Sequence, residues 1–124
     1  MLLGDFFEIN QFDNKESDSL TAKIRFNKKH RIFQGHFPGF PVVPGVCMIQ
    51  LVKEIIAFKY KSPLFLSHGD NIKFLRFIDP NNVDFVVVHV RMKEFQDGQV
   101  KAEATIFKGD CNFLKFKGTF RKET

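Results

Sequence analysis

The stretch RIFQGHFPGFPVVPGVCMIQLVKE, from Arg31 to Glu54, gathers side chains that can handle a proton next to a Pro-rich turn. His36 stands beside Phe37 and ahead of Pro38, Pro41 and Pro44. An imidazole titrates near neutral pH, so His36 is suited to act as a base. Pro44 sits where a helix would begin, and the first N–H groups of a helix, here around Gly45 and Val46, have no internal partner. With the helix dipole behind them they form a corner that stabilises a developing negative oxygen, and glycine at 45 permits close approach. Gln50 and Glu54 are four residues apart, hence on one helical face and displaced by roughly 6 Å along the axis. Glu54 can give or take a proton, whereas Gln50 can only hold a hydroxyl or a water. A base, an anion-stabilising corner and a polar pair are parts that proton-transfer chemistry can use. The bland counterparts are a histidine that pins a Pro-rich loop, and a Gln50–Glu54 pair that bonds to itself while Lys53 reaches solvent. Cys47, near the same helix start, reads as a small apolar filler rather than an activated thiol.

The elements that must position these groups are mostly strands. In SLTAKIRFN, Leu20, Ala22, Ile24 and Phe26 share one face; Val86, Val88, Val90 and Met92 do so in VDFVVVHVRM. Val100, Ala102, Ala104 and Ile106 repeat the pattern, followed by Leu114, Phe116 and Phe120. FFEINQFDN predicts a further strand near the start, and NIKFLRFI another, closed by a turn at Asp79 to Asn82. Turns at Gln96–Gly98 and Lys108–Asp110 predict hairpins. From Gly45 to about Tyr60 apolar residues lie almost all round, which predicts a buried helix. Two strands, a helix and four strands predict an α+β fold: a curled antiparallel β-sheet wrapped around one central buried helix.

Composition narrows the function. Seventeen phenylalanines against one tyrosine and no tryptophan suit a dry core, dry subunit contacts or an acyl-chain tunnel. No apolar run reaches the roughly 20 residues of a membrane span, and the start lacks the features of a secretory signal. Cys47 and Cys111 fit neither a metal spacing nor a disulfide framework and read as reduced thiols in a cytoplasmic protein. The net charge of +5 is modest. Its densest cluster, Asn27 to Arg31, reads as a solvated loop or a landing patch for an acidic partner, and lacks the interleaved aromatics of a nucleic-acid binder. His30 falls in that loop, LSHGDN predicts a turn at His68, and His89 falls on the strand face opposite Val88 and Val90. None has metal-ligand spacing, so no metal is expected. The serines lack a nucleophile-elbow context.

GHFPGFPVVPGV, from Gly35 to Val46, resembles the signature of the 3-hydroxyacyl-[acyl-carrier-protein] dehydratases of the FabA/FabZ type: His-Phe-Pro-Gly, a second Pro, then Pro-Gly opening the helix. IKFLRFIDPNNVDFVVV and the terminal hairpin extend the likeness over most of the chain from about Phe26 onward. The resemblance implies a single hot-dog domain over residues 1–124 with its central helix at about 45–60. It implies a hydro-lyase acting on a thioester carried by the phosphopantetheine of an acyl carrier protein. No cofactor of its own, no nucleic acid and no membrane span are expected; the working unit would be a homodimer with shared sites. His36 matches the motif histidine, Gly45 the glycine facing the thioester carbonyl, and Phe37, Pro44 and Val46 complete the substrate-binding set. The chain departs from the family at one place. Gln50 stands where the family has its Glu or Asp, and Glu54 where many members carry Gln, so catalytic service by Glu54 or Gln50 stays open. Two other functions fit: a hot-dog acyl thioesterase, or a catalytically impaired acyl-carrier-binding subunit.

Overall fold

The computed structural model describes residues 1–35 and 41–123. Six strands form one antiparallel sheet: β1 Phe7–Asp13, β2 Ser19–Phe26, β3 Leu64–Phe74, β4 Val86–Glu94, β5 Gln99–Lys108 and β6 Cys111–Lys122. Their spatial order is β1-β2-β4-β5-β6-β3. A short helix α1, Arg31–Gly35, precedes the long helix α2, Gly45–Tyr60.

The alternation in sequence translates directly into burial, because successive strand residues face opposite sides. Leu20, Ala22, Ile24 and Phe26 are buried, as are Val86, Val88, Val90 and Met92, and Val100, Ala102, Ala104 and Ile106. The register places these sets side by side: Ala22 pairs with Val88, Val90 with Ala104, and Ala104 with Phe116. Helix α2 completes the core with Cys47, Met48, Leu51, Val52, Ile55 and Ile56. It ends at Lys61, whose left-handed backbone (φ 53°) turns its N–H onto the Ala57 carbonyl. Phenylalanines pack against one another where the amino-terminal segment meets β2 and α1: Phe6 lies 5.6 Å from Phe26 and 5.0 Å from Phe33, ring centre to ring centre.

Two expectations need correction. The strand after α2 begins at Leu64 and ends at Phe74, rather than running from Asn71 to Ile78. His68 accordingly lies within β3, not in a turn. Two register shifts, between Leu66 and His68 and between Gly69 and Asn71, absorb the turn-like residues as bulges. Gly118 on β6 serves the same crossing, since a Cβ there would sit 2.6 Å from the His68 carbonyl oxygen. Residues Leu75 to Ile78 then leave the sheet and turn back over the start of α2, held by Val43 N–H donating to the Ile78 carbonyl at 2.9 Å.

Candidate active site

An apolar cleft of about 820 Å³ opens where α2 begins. One wall is Val42 to Gly45 with Met48; the other is Phe74 to Phe77, including Arg76. Pro44 has an extended backbone (φ −60°, ψ 145°) and its carbonyl accepts from both Cys47 and Met48. The N–H groups of Gly45 and Val46 thereby start the helix without an acceptor among the described residues. A Cβ at Gly45 would lie 2.8 Å from the Phe74 ring, so that half-exposed ring would have to shift to admit one. Around this corner large apolar side chains stand in solvent, with Val46 and Phe77 each 74% exposed, Phe74 53% and Leu75 45%.

His36 and Phe37, two of the sequence-derived site residues, lie outside the described residues. Pro44 and Gly45 line the cleft, and Val46 projects beside it into solvent. Gln50 and Glu54 do not line it. They lie further along α2, and one chain by itself does not bring them to the cleft wall.

Glu54 is buried, 6% exposed, and its carboxylate is fully engaged. Leu2 N–H donates to both oxygens at 2.9 Å, Leu3 N–H to Oε1 at 2.8 Å, and Gln50 Nε2 to Oε2 at 2.7 Å. A buried carboxylate is costly unless hydrogen-bonded, and this set of donors supplies the compensation. The amino-terminal segment is held there by a second contact. His30 is also buried; its Nδ1 accepts from Ile32 N–H at 3.1 Å, leaving Nε2 to donate to Asp5 Oδ2 at 3.0 Å. The sequence placed His30 only in a charged loop, and no pattern marks the backbone of Leu2 and Leu3 as a carboxylate cradle. Only the spacing of Gln50 and Glu54 announced their mutual bond.

Cys47 is buried, and burial pushes its thiol up, away from thiolate reactivity. His89 Nδ1 pairs with Thr21 Oγ1 at 2.9 Å on the outer sheet face. Among the described residues no three His, Cys, Asp or Glu side chains cluster as a metal site, and no helix is long and apolar enough to cross a membrane.

An antiparallel sheet around a central helix, with an apolar cleft at that helix's amino terminus, is the hot-dog fold. The chain belongs to the ApeI-like dehydratase family, whose model matches residues 12–112. It is 32% identical over 108 residues to the 3-hydroxyacyl-[acyl-carrier-protein] dehydratase FabZ of Lactobacillus helveticus, covering 80% of this chain and 70% of that one. The FabZ of Teredinibacter turnerae is 33% identical over 106 residues, covering 77% and 66% respectively. Among solved structures, the dehydratase heterocomplex ApeI:P from Xenorhabdus doucetiae superposes with a TM-score of 0.72 at 16% identity, covering 91% of this chain and 96% of that one. The PaaI protein of E. coli does so at 0.64 and 12% identity, covering 95% and 80%. These two likenesses establish the fold.

Proposed function

We propose that this protein removes water from a 3-hydroxyacyl thioester presented by an acyl carrier protein, with two copies of the chain completing each site. The observation that carries this reading is the apolar cleft ending on the N–H groups of Gly45 and Val46, which have no acceptor among the described residues. An acyl chain fits the Phe- and Val-lined walls, and the thioester oxygen faces those N–H groups as negative charge develops. Arg76, exposed among the lining residues, offers a cation to the phosphate of the carrier arm.

His36 takes the C2 proton, the C3–O bond breaks, and a C2–C3 double bond forms. The departing hydroxide needs a proton. Gln50 has none to release, so the imidazolium of His36 returns the one it took, and water leaves. This single-base route forgoes a separate general acid, a contribution typically worth about 10²- to 10⁴-fold. Incubation with a 3-hydroxyacyl thioester and detection of the enoyl product tests the reading. Turnover by the wild type and its loss in His36→Ala are expected; equal inertness of the two would defeat it.

Gln50 and the saturated carboxylate of Glu54 favour a second reading, a carrier-binding subunit that needs another chain for its acid. The similar ApeI:P structure is itself a heterocomplex. Binding of the acyl carrier without turnover would select it. The same saturation disfavours a thioesterase, because Glu54 has no oxygen free to activate water.

A further inference from the structure

We infer that the outer face of the sheet is a docking surface for an anionic lipid bilayer. Strand alternation sends Lys73, Arg91, Lys93, Lys101, Lys115 and Lys117 to the side away from α2, and all six are exposed. The register gathers them into three adjacent rows. Lys93 stands opposite Lys101, Arg91 and Lys117 flank Glu103, and Lys115 stands opposite Lys73. By strand spacing and rise per residue the patch measures about 15 Å by about 13 Å. Carboxylates are fewer there: Glu103 at the centre, with Asp18 and Asp70 at the margin. Of the six cations only Lys117 has an ion-pair partner among the described residues, Glu103 at 3.7 Å. Two directly opposed lysine pairs repel, and a negative surface laid against them removes that repulsion.

The kind of partner follows from what accompanies the charge. Asn71, His89 and Thr105 line a shallow trough between the cations, and the centre of the patch has no exposed apolar side chain. It therefore lacks the buried anchor of a specific protein interface, from which lysine is also depleted. Nor are aromatic rings interleaved with the charges, as base stacking would need. Anionic headgroups ask only for a density of cations within a Debye length. At one end Phe95, partly exposed, carries Lys93 and Lys101 over its ring at 5.3 and 5.5 Å. Such a tip enters the acyl boundary while the ammonium groups meet phosphates.

Co-sedimentation with vesicles tests this. At low salt the full chain is expected to sediment with vesicles of equimolar phosphatidylglycerol and phosphatidylcholine, to stay in solution with phosphatidylcholine alone, and to be released as salt rises. Lys101→Gln with Lys115→Gln is expected to weaken partitioning at least about tenfold, since each cation near a charged bilayer contributes roughly fivefold. That variant relieves both opposed lysine pairs, so it should melt no earlier than the wild type, which separates lost docking from lost folding. Lys28→Gln with Lys29→Gln removes the same charge from the exposed segment before α1, and is expected to change partitioning less than about threefold. Equal losses in the two double variants would reduce the effect to net charge and overturn the docking face. Absence of binding to the anionic vesicles would overturn it as well. So would tighter binding of poly-glutamate or a DNA duplex at matched anion concentration, which would make the partner a protein or a nucleic acid instead.

Discussion

At position 50 a single functional group separates an amide from an acid. Placing Glu at 50 alone would set two carboxyls at about the separation the amide–carboxylate bond now spans, 2.7 Å. Such a pair shares one proton rather than ionising twice, at a cost in stability. The exchange that respects the cradle is Gln50→Glu with Glu54→Gln, which keeps one donor–acceptor bond between the two positions and puts the acid at the position the sequence resemblance matches to the family's Glu or Asp. Leu2 and Leu3 can still donate to the amide oxygen that then stands at position 54. This double variant is expected to dehydrate a 3-hydroxyacyl thioester at least about 10²-fold faster than the wild type, the lower end of what a general acid contributes. The single variant Gln50→Glu is expected to gain less and to melt earlier. Steady-state turnover of the three proteins, with melting curves alongside, checks both statements.

At the scale of elements, Phe74 and Gly45 show how β3 and α2 meet. The Phe74 ring occupies the space a Cβ at 45 would take, at 2.8 Å. Gly45→Ala makes the half-exposed Phe74 ring swing aside, a cost opposed by alanine's better helix propensity of up to about 1 kcal/mol. A net change within about 1 kcal/mol is expected, and Phe74→Leu in the same chain is expected to make the alanine the more stabilising residue. Chemical denaturation of the four proteins of that double-mutant cycle measures the coupling. On the outer sheet face the register sets Lys73 directly opposite Lys115 and Lys93 directly opposite Lys101. Like charges so placed repel, so Lys73→Glu is expected to stabilise by roughly 0.2–1 kcal/mol at low salt. Added salt should raise the stability of the wild type more than that of the variant, since screening removes the repulsion. Most of this architecture was legible beforehand. Period-two burial named the inward faces of β2, β4, β5 and β6, and Pro44 marked the start of α2. Ser67 to Asn71 misled because His, Gly and Asp read as a turn, whereas the pairing with β6 absorbs them as bulges. Helix α1 escaped because five residues carry too little periodicity to register. The Glu54 cradle escaped for a different reason: backbone N–H groups are the same at every non-proline position, so only folding reveals which ones meet a carboxylate.

For the molecule as a whole, the apolar surface around the cleft is what a lone chain leaves in water. Val46, Phe74, Leu75 and Phe77 form an apolar rim beside a cleft that is itself mostly apolar, and β3, at the end of the sheet, has no strand on its outer side among the described residues. A long free edge next to exposed phenylalanines invites association, and a second copy of the chain can satisfy both features at once. The wild type is therefore expected to sediment as a dimer at micromolar concentration. Phe77→Asp buries an unpaired charge in such an interface, so it is expected to shift the equilibrium toward monomer by at least about tenfold in dissociation constant. Phe77 has little burial within the chain, so the monomer should keep its fold, visible as an unchanged circular dichroism spectrum. Because two copies complete each site under the proposed function, turnover of the variant should follow its dimer fraction and rise with protein concentration; that dependence, not the absolute rate, is the readout, since Phe77 also lines the cleft. A wild type that sediments as a monomer while remaining active would break this link between assembly and chemistry.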